Sequence, residues 1–223
     1  MIETVIFDLD GTLLDRSSSL KSFIIQQYAR LHPLLKHIDK ADYIERFIEL
    51  DNRGHVWKDK VYQSLIKEFK ITQVSWQYLL NDYEIQFSNH CIPFPQLIET
   101  LNLLKQQNYL LGMITNGRTI FQSRSIKGLG IENYFDTIII SEAEQIRKPQ
   151  SEIFYTALSR LNAIAQTSVY IGDNPQADII GAKNAGLKAI WKRNQFWSDP
   201  EEADAIVDGL DEILPILKQW QNC

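Results

Sequence analysis

Residues 5–15 read Val-Ile-Phe-Asp-Leu-Asp-Gly-Thr-Leu-Leu-Asp, and the organisation of the chain can be worked out from this stretch. Its first three side chains are apolar without a break, which is typical of a short strand buried on both faces. The strand ends at Asp8 and Asp10, and ligands of open α/β sheets bind at that edge. Because neighbouring carboxylates repel each other, the pattern favours a hard divalent cation such as Mg²⁺, which prefers oxygen ligands.

The composition limits the class of protein. The chain has 223 residues, 44% hydrophobic and 23% charged, which is enough for a sizeable core and one or two domains. A net charge of −5 argues against a general nucleic-acid or anionic-membrane binder, and no apolar run approaches transmembrane length. No signal peptide is visible, and Cys91 and Cys223 show no metal-ligand spacing. We therefore predict two reduced thiols and a cytoplasmic protein.

Strands alternate with helices from residue 95 onward. Apolar strands are predicted at residues 109–114, 137–140, 168–171, 188–191 and 205–207. Helices are predicted at residues 97–107, 120–127, 151–161, 175–185 and 210–220. This alternation is typical of right-handed βαβ units and predicts an α/β protein with a Rossmann-like, doubly wound parallel sheet.

The segment between the first two predicted strands is helical and far longer than one crossover needs. Helices are predicted at residues 20–31, 43–50, 56–69 and 76–87, with no convincing strand among them. We therefore predict a catalytic core of residues 1–15 and 95–223 and an inserted all-helical cap domain of residues 16–94. Because the insertion leaves and re-enters the sheet beside the carboxylates, we expect it to cover them as a lid.

Polar clusters follow four of the predicted strands, and in a parallel sheet these loops share one edge. The clusters are Asp8, Asp10 and Thr12; Thr115-Asn116-Gly117; Arg147-Lys148-Pro149; and Gly172-Asp173-Asn174 with Asp178. Taken alone, each cluster has an ordinary explanation. In the same order, these are solvated acids, a turn, a surface loop and the start of a helix. Because all four occur in order after apolar strands, we interpret them as one site.

The acidic residues of this site suit phosphoryl transfer. Asp8 could attack phosphorus and form an aspartyl-phosphate. Asp10 could give a proton to the leaving oxygen and later take one from water. Asp173, together with Asp8, would hold Mg²⁺.

The remaining groups suit the anionic part of a substrate. Thr115 and the backbone N–H of Asn116 would bind phosphoryl oxygens, and Gly117 would allow close approach of the backbone. Lys148 would offset the negative charge that the nucleophile and the phosphate bring together.

With these motifs the chain resembles the haloacid dehalogenase-like hydrolase superfamily, in the branch with a helical cap inserted after the first strand. The motifs are residues 8–12, 115–117, 148–149 and 172–178. The resemblance implies Mg²⁺-dependent phosphotransfer with Asp8 as nucleophile and Asp10 as general acid/base. It also implies that the main-chain carbonyl of Asp10 contacts the metal. Asp178 is then either a metal ligand or, as we favour, a residue that supports the metal water or Lys148, and Thr12 is expected to have a similar supporting role.

Asp10 helps to choose among the activities of this superfamily. Members that remove halide from carbon lack this second acid, so its presence favours a phosphatase acting on a small phosphorylated metabolite. A sugar-phosphate mutase keeps the residue and stays an alternative, as does a catalytically silent phosphate-binding module. A phospho-accepting receiver domain is disfavoured, because its acceptor lies on a middle strand without a helical insertion. No nucleic-acid or membrane partner is predicted, and the expected state is a monomer or homodimer.

Residues 51–58 interrupt the helical pattern of the predicted cap at Gly54. Arg53 is predicted to bind substrate there, because its planar guanidinium suits a second phosphate, a carboxylate or a base edge. His55 and Trp57 could also face the site. Their alternatives are an ordinary surface histidine and a tryptophan of the cap core.

Overall fold

The computed structural model describes residues 1–221, which form two compact units. One unit contains residues 1–15 and the chain from residue 93 onward, and the other contains Arg16–Ile92. The chain thus returns to the first unit at Pro93, whereas the sequence pattern places this return at residue 95. Cys91 donates its thiol to the carbonyl of Phe87, and Cys223 lies outside the described residues.

The first unit is built on a parallel sheet. Its strands are β1 (Thr4–Phe7), β2 (Leu110–Thr115), β3 (Thr137–Ile140), β4 (Ser168–Gly172), β5 (Lys188–Lys192) and β6 (Ala205–Val207). They lie in the order β3-β2-β1-β4-β5-β6, and every neighbouring pair is parallel. Because the order reverses between β1 and β4, right-handed crossovers place helices on both faces of the sheet. The predicted doubly wound parallel sheet is confirmed.

The helices differ from the predicted ones mainly at their ends. In chain order they are α1 (Arg16–Arg30), α2 (His32–Leu35), α3 (Lys40–Asp51), α4 (Lys58–Glu68), α5 (Trp76–Gln86), α6 (Leu97–Gln106), α7 (Thr119–Gly128), α8 (Ser141–Glu144), α9 (Ser151–Leu161), α10 (Gly181–Asn184) and α11 (Ile213–Gln221). The helix predicted at residues 175–185 instead begins with a π-helical turn, Pro175–Ile180, before α10. Such turns are frequent at functional sites. Among the described residues, no helix combines the length and apolar character needed to cross a bilayer.

Burial of β1 explains its apolar sequence. Every residue of Thr4–Phe7 is buried, because β2 and β4 flank the strand and helices cover the sheet. On one face, Ile6 packs in a cluster with Tyr170 of β4 and with Phe154 of α9. A fully buried side chain of this size stabilises a fold by about 1.5–3 kcal/mol. Burial therefore fixes the strand whose end carries Asp8 and Asp10.

The second unit contains α1 to α5 and has an aromatic core. Phe23 of α1, Phe47 of α3, Tyr62 of α4 and Tyr83 of α5 are almost completely buried. Gln27, also buried, accepts a hydrogen bond from the Tyr62 hydroxyl at 2.8 Å. Burial of a polar amide is tolerated because its hydrogen bonds are satisfied inside the unit.

A buried charge cluster fixes the turn that follows α3 in the second unit. Asp51 accepts hydrogen bonds from the Arg16 guanidinium at 3.0 and 2.9 Å, from Gly54 N–H at 2.9 Å and from the Lys58 ammonium. The side chains of Asp51 and Lys58 are each only 2% exposed. Although burial alone would raise the pKa of Asp51, Lys58 and Arg16 hold it below its usual value. The carboxylate is therefore charged at neutral pH.

Asp51→Asn should destabilise the helical unit by about 3–5 kcal/mol, because Lys58 would stay buried after losing its carboxylate. Urea unfolding at pH 7, followed by far-UV circular dichroism, measures the change. Because the folded pKa is depressed, the contribution of Asp51 is present above the unfolded pKa of about 3.9 and is lost as the pH falls through the folded value.

Glu45→Gln is the matched control, since Glu45 lies exposed on the same helix α3. It should change the free energy of unfolding by no more than about 0.5 kcal/mol. An Asp51→Asn loss no larger than that of Glu45→Gln would show that the charge cluster contributes nothing to stability.

Candidate active site

The carboxyl ends of β1 and β4 bring two of the predicted acids to the point where the strand order reverses. Asp8 follows β1 and is 5% exposed, and Asp173 follows β4 and is 9% exposed. The backbone N–H of Asp8 donates to the carbonyl of Ile171 at 2.9 Å, which continues the β1–β4 pairing into the site. Ligands bind open α/β sheets at such a reversal point.

The turn after β1 explains why glycine and threonine follow the two acids. Gly11 has a φ of +88°, a conformation that L side chains rarely adopt. A Cβ at Gly11 would also collide with the carboxylate of Asp173, so the turn can approach that residue only without a side chain. Thr12 is fully buried, and its hydroxyl donates to Asp8 Oδ2 at 3.2 Å.

Lys148 lies at the centre of the site with its ammonium buried. Nζ donates to Asp8 Oδ1 at 2.6 Å, to Asp178 Oδ1 at 2.7 Å and to the Tyr170 hydroxyl at 2.8 Å. These three acceptors use all three donors of an ammonium group. Burial alone would lower the pKa of Lys148, but the carboxylates of Asp178 and Asp8 outweigh it and raise the pKa above its usual value. The Lys148 ammonium is therefore protonated, and positively charged, at neutral pH.

Three buried carboxylates lie close together, and two of them contact that ammonium. One oxygen from each of Asp8, Asp173 and Asp178 lies within 4.8 Å of the others. Burial and the charge of Asp178 raise the pKa of Asp173 to about 7. Burial also raises the pKa of Asp8. The positive charge of Lys148 lowers this pKa, but the negative charges of Asp178 and Asp173 raise it further. The cluster thus holds more negative charge than Lys148 alone can balance.

This set of donors fits a hard divalent cation such as Mg²⁺, which binds carboxylate oxygens and would balance the excess charge. Asp8 and Asp173 are the acids best placed to hold it. Asp178 is the most deeply buried of the three acids, at 1% exposed, and its oxygens accept hydrogen bonds from Lys148 and from the backbone N–H of Asn174 at 2.9 Å. Asp178 therefore fits a supporting role for Lys148 better than a metal ligand.

The loop after β2 contacts Lys148 through an asparagine side chain. The amide Nδ2 of Asn116 donates to the carbonyl of Lys148 at 3.0 Å, and Lys148 N–H donates back to Asn116 Oδ1 at 3.0 Å. The sequence pattern predicts only the backbone N–H of Asn116 as a ligand, so this side-chain role is an addition. Gly117 N–H donates to the hydroxyl of Ser141 at 3.0 Å, so a neighbouring loop also holds the residue.

Gln122 of α7 links two of the predicted residues. Its side-chain amide donates to Asp10 Oδ2 at 2.7 Å and also to the hydroxyl of Thr115. The sequence pattern misses Gln122, although a signal is present: helical spacing places it on the same face as Ser125 and Ile126, and all three are buried. A buried amide next to a strand-end motif needs polar partners.

Tyr170 is a second residue that the sequence pattern misses. It is fully buried in β4, where its hydroxyl accepts from Lys148 and donates to the carbonyl of Ile114 at 3.1 Å. Its burial between apolar neighbours is the available signal, because a buried tyrosine hydroxyl usually finds a hydrogen-bond partner. Asn194, which follows β5, is a third: its amide donates to Asp173 Oδ2 at 2.6 Å.

The predicted substrate residues of the insertion lie in the second unit. Arg53 has a φ of +57° within the 3₁₀ turn Asn52–Gly54, and its side chain is exposed. His55 is exposed and Trp57 is half-buried. That these residues face a substrate stays a prediction.

The parallel sheet and the acids at its carboxyl edge agree with membership of a known family of hydrolases. The chain belongs to the haloacid dehalogenase-like hydrolase family, whose model matches residues 5–192, so the predicted family is confirmed. The chain is 27% identical to the glyceraldehyde 3-phosphate phosphatase of Pyrococcus furiosus, over 98% of this chain and 94% of that protein. It is 30% identical to the glyceraldehyde 3-phosphate phosphatase of Methanocaldococcus jannaschii, over the full length of both.

A solved structure agrees with these sequence relatives. The HAD phosphatase from Thermococcus onnurineus superposes with a TM-score of 0.69 and 28% identity, covering 97% of this chain and 98% of that one. The similarity therefore spans nearly the whole chain, including the helical insertion.

Proposed function

We propose that the protein is a Mg²⁺-dependent phosphatase that hydrolyses a small phosphorylated metabolite through an aspartyl-phosphate on Asp8. The chain is a phosphoric monoester hydrolase of the haloacid dehalogenase-like family, and the proposal adds the metal, the substrate class and the residue roles. The observation that carries it is the 2.6 Å contact between the Asp8 carboxylate and the buried Lys148 ammonium.

Asp8 is held in a single orientation for attack on phosphorus. Lys148 binds its Oδ1 and the Thr12 hydroxyl binds its Oδ2, so the carboxylate loses little rotational freedom when a substrate arrives. Fixing a nucleophile in this way lowers the entropic part of the barrier. Attack forms the bond between the carboxylate oxygen and phosphorus and breaks the bond between phosphorus and the leaving oxygen.

Asp10 is the group that moves the proton. Gln122 donates to its Oδ2 at 2.7 Å and fixes the carboxyl beside Thr115, leaving Oδ1 for proton transfer. Asp10 gives its proton to the leaving oxygen, then takes one from the water that attacks the aspartyl-phosphate. A positioned general acid/base of this kind contributes roughly 10²–10⁴-fold to a rate.

The Thr115 hydroxyl and the backbone N–H of Asn116 would bind the anionic substrate oxygens, Gly117 would allow close approach of the backbone, and Lys148 would offset the negative charge. The carboxylates of Asp8 and Asp173 and the main-chain carbonyl of Asp10 would hold Mg²⁺. When bound, the ion supplies Lewis-acid stabilisation of the phosphoryl group and offsets the charge of the carboxylates.

Relatives support a small substrate. The two archaeal proteins similar to this chain are glyceraldehyde 3-phosphate phosphatases, so we take phosphorylated compounds of that size as the first candidates. We also propose that the protein is cytoplasmic, that it is a monomer or homodimer, and that it contacts neither nucleic acid nor membrane.

A screen of phosphorylated metabolites with Mg²⁺, measuring free phosphate, tests the function. We expect phosphate release from small phosphate monoesters, loss of release in excess chelator and recovery on adding Mg²⁺. Ca²⁺ should replace Mg²⁺ poorly, because its larger and looser coordination misplaces Asp8. An isomerised sugar phosphate without free phosphate would identify a mutase instead, and binding without turnover would identify a silent module.

Arg53→Ala should lower kcat/KM for the preferred substrate by roughly ten- to a hundredfold, the scale of one charged hydrogen bond. The expectation rests on the proposed role of Arg53 in reading the part of the substrate beyond the transferred phosphate. Steady-state kinetics with the preferred substrate and with p-nitrophenyl phosphate measure it, and the generic ester should be hydrolysed almost as before. An unchanged kcat/KM on both substrates would show that Arg53 plays no part in substrate selection. An equal loss on both would mean that Arg53 contacts the transferred phosphoryl group or holds the cap together.

A further inference from the structure

The carboxyl end of β5 carries none of the four motifs, yet its residues hold Asp173. The indole N–H of Trp191 donates to the main-chain carbonyl of Asp173 at 2.7 Å. Asn194, two residues after the strand, donates its amide Nδ2 to Asp173 Oδ2 at 2.6 Å. Trp191 is fully buried and Asn194 partly so. Trp191 thus fixes the backbone of Asp173, and Asn194 contacts its carboxylate.

The orientation of the Asn194 amide follows from its partners. Asn194 Oδ1 accepts the backbone N–H of Phe196 at 3.1 Å, and its main-chain carbonyl accepts the N–H of Trp197 at 3.1 Å. Because the amide oxygen receives an N–H from the turn, the amide nitrogen must be the atom that points to Asp173. The turn therefore presents a donor to the carboxylate in a fixed direction.

Asp173 receives little other help in orienting its carboxylate. In the part of the chain that the structure describes, Asn194 is the side chain that donates a hydrogen bond to it. On another side the carboxylate lies against the backbone of Gly11, where a Cβ would collide with it. A carboxylate held at one oxygen and confined by backbone keeps its second oxygen available in a defined position.

We propose that Asn194 is a positioning residue that orients the Asp173 carboxylate for a divalent cation. The inference rests on the proposed function, in which Asp173 and Asp8 hold Mg²⁺. Groups that hydrogen-bond to metal ligands fix the direction of those ligands, and their loss typically weakens metal binding by 10–100-fold. Asn194 acts through Asp173 and need not touch the substrate, so its loss should change metal affinity rather than the chemical step.

Direct metal binding tests this role without relying on turnover. We would titrate Mn²⁺ into wild-type protein, Asn194→Ala, Asn194→Ser and Gln195→Ala, following free Mn²⁺ by electron paramagnetic resonance. Asn194→Ala should weaken Mn²⁺ binding by roughly 10–100-fold. Gln195→Ala, at an exposed neighbouring position, should bind as the wild type does.

The serine variant separates the carboxylate contact from the turn. A serine hydroxyl can still accept the N–H of residue 196, as in turns that begin with serine, but it is too short to reach Asp173. Asn194→Ser should therefore bind Mn²⁺ as weakly as Asn194→Ala. Both variants should recover a kcat within about threefold of the wild type at saturating Mg²⁺, while the Mg²⁺ concentration for half activity rises.

The outcomes separate the inference from the proposed function. Wild-type affinity in Asn194→Ala, or restoration of affinity by serine, would overturn the role of Asn194 and leave the metal site standing. A fall in kcat with unchanged Mn²⁺ binding would also overturn it. Wild-type protein that binds no Mn²⁺ and is fully active in chelator would reject the metal itself.

Discussion

Asp8→Asn should abolish phosphate release, lowering kcat by roughly 10³-fold or more, while the protein stays folded. The amide has the shape of the carboxylate but cannot attack phosphorus. The fold should tolerate the change, because the pKa of Asp8 is raised by burial and by the charges of Asp178 and Asp173, against Lys148. A neutral side chain there relieves repulsion among three buried acids. Phosphate release from the preferred substrate and thermal unfolding followed by circular dichroism measure the two effects.

Glu3→Gln is the matched control for Asp8→Asn, because it removes one carboxylate from an exposed position just before β1. It should keep wild-type turnover. Acid-quenched wild-type enzyme should carry phosphate on the peptide that contains Asp8, and Asp8→Asn enzyme should carry none. Normal turnover by a folded Asp8→Asn protein would overturn covalent catalysis by this residue.

The sheet could be predicted from the sequence because its central strands, β1 and β4, are buried throughout. Mainly apolar runs mark the strands, and the predicted limits of β3 (Thr137–Ile140) and of helix α9 (Ser151–Leu161) coincide with those observed. The helix predicted at residues 175–185 is present, but its first half is π-helical rather than α-helical. There the Asn174 side chain accepts the N–H groups of Gln176 and Ala177, and the backbone adopts a π-helical turn. Periodicity alone does not distinguish a π-helical from an α-helical turn.

Sequence patterns could not show which residues the supporting side chains contact. Asn194 lies 21 residues from Asp173, and the two meet only because β4 and β5 pair with Gly172 opposite Trp191. Gln122 and Asp10 are 112 residues apart. A motif search finds Asp8, Asp173 and Lys148 because each belongs to a short motif in the segment after a strand. The groups that orient them depend on strand register and helix rotation, which tertiary packing determines.

Lys148→Met should lower kcat by roughly 10²–10³-fold, because the ammonium that binds Asp8 and offsets the charge of the phosphoryl oxygens is lost. It should also destabilise the fold by about 3–5 kcal/mol, because Asp8 and Asp178 stay buried without their cation. Lys148→Arg should rescue neither property. A planar guanidinium cannot take the place of an ammonium whose three donors contact Asp8, Asp178 and Tyr170 at 2.6–2.8 Å.

Lys183→Met is the matched control, since Lys183 pairs with Asp204 at 2.8 Å on the surface of the same unit. Its loss should cost no more than about 1 kcal/mol and leave turnover unchanged. Urea unfolding at pH 7 and steady-state kinetics at saturating Mg²⁺ give the two readouts. A Lys148→Met protein as stable and as active as Lys183→Met would show that the buried ammonium has no special role.

The double variant Lys148→Met/Asp178→Asn separates catalysis by Lys148 from its part in the fold. Removing a buried carboxylate together with its cation is much less costly than removing the cation alone, so stability should recover by at least half. Turnover should not recover, because no ammonium contacts Asp8 in the double variant. Recovery of both stability and turnover would mean that Lys148 only balances Asp178. Recovery of stability alone identifies Lys148 as the group that binds the nucleophile and offsets the charge of the anion during the reaction.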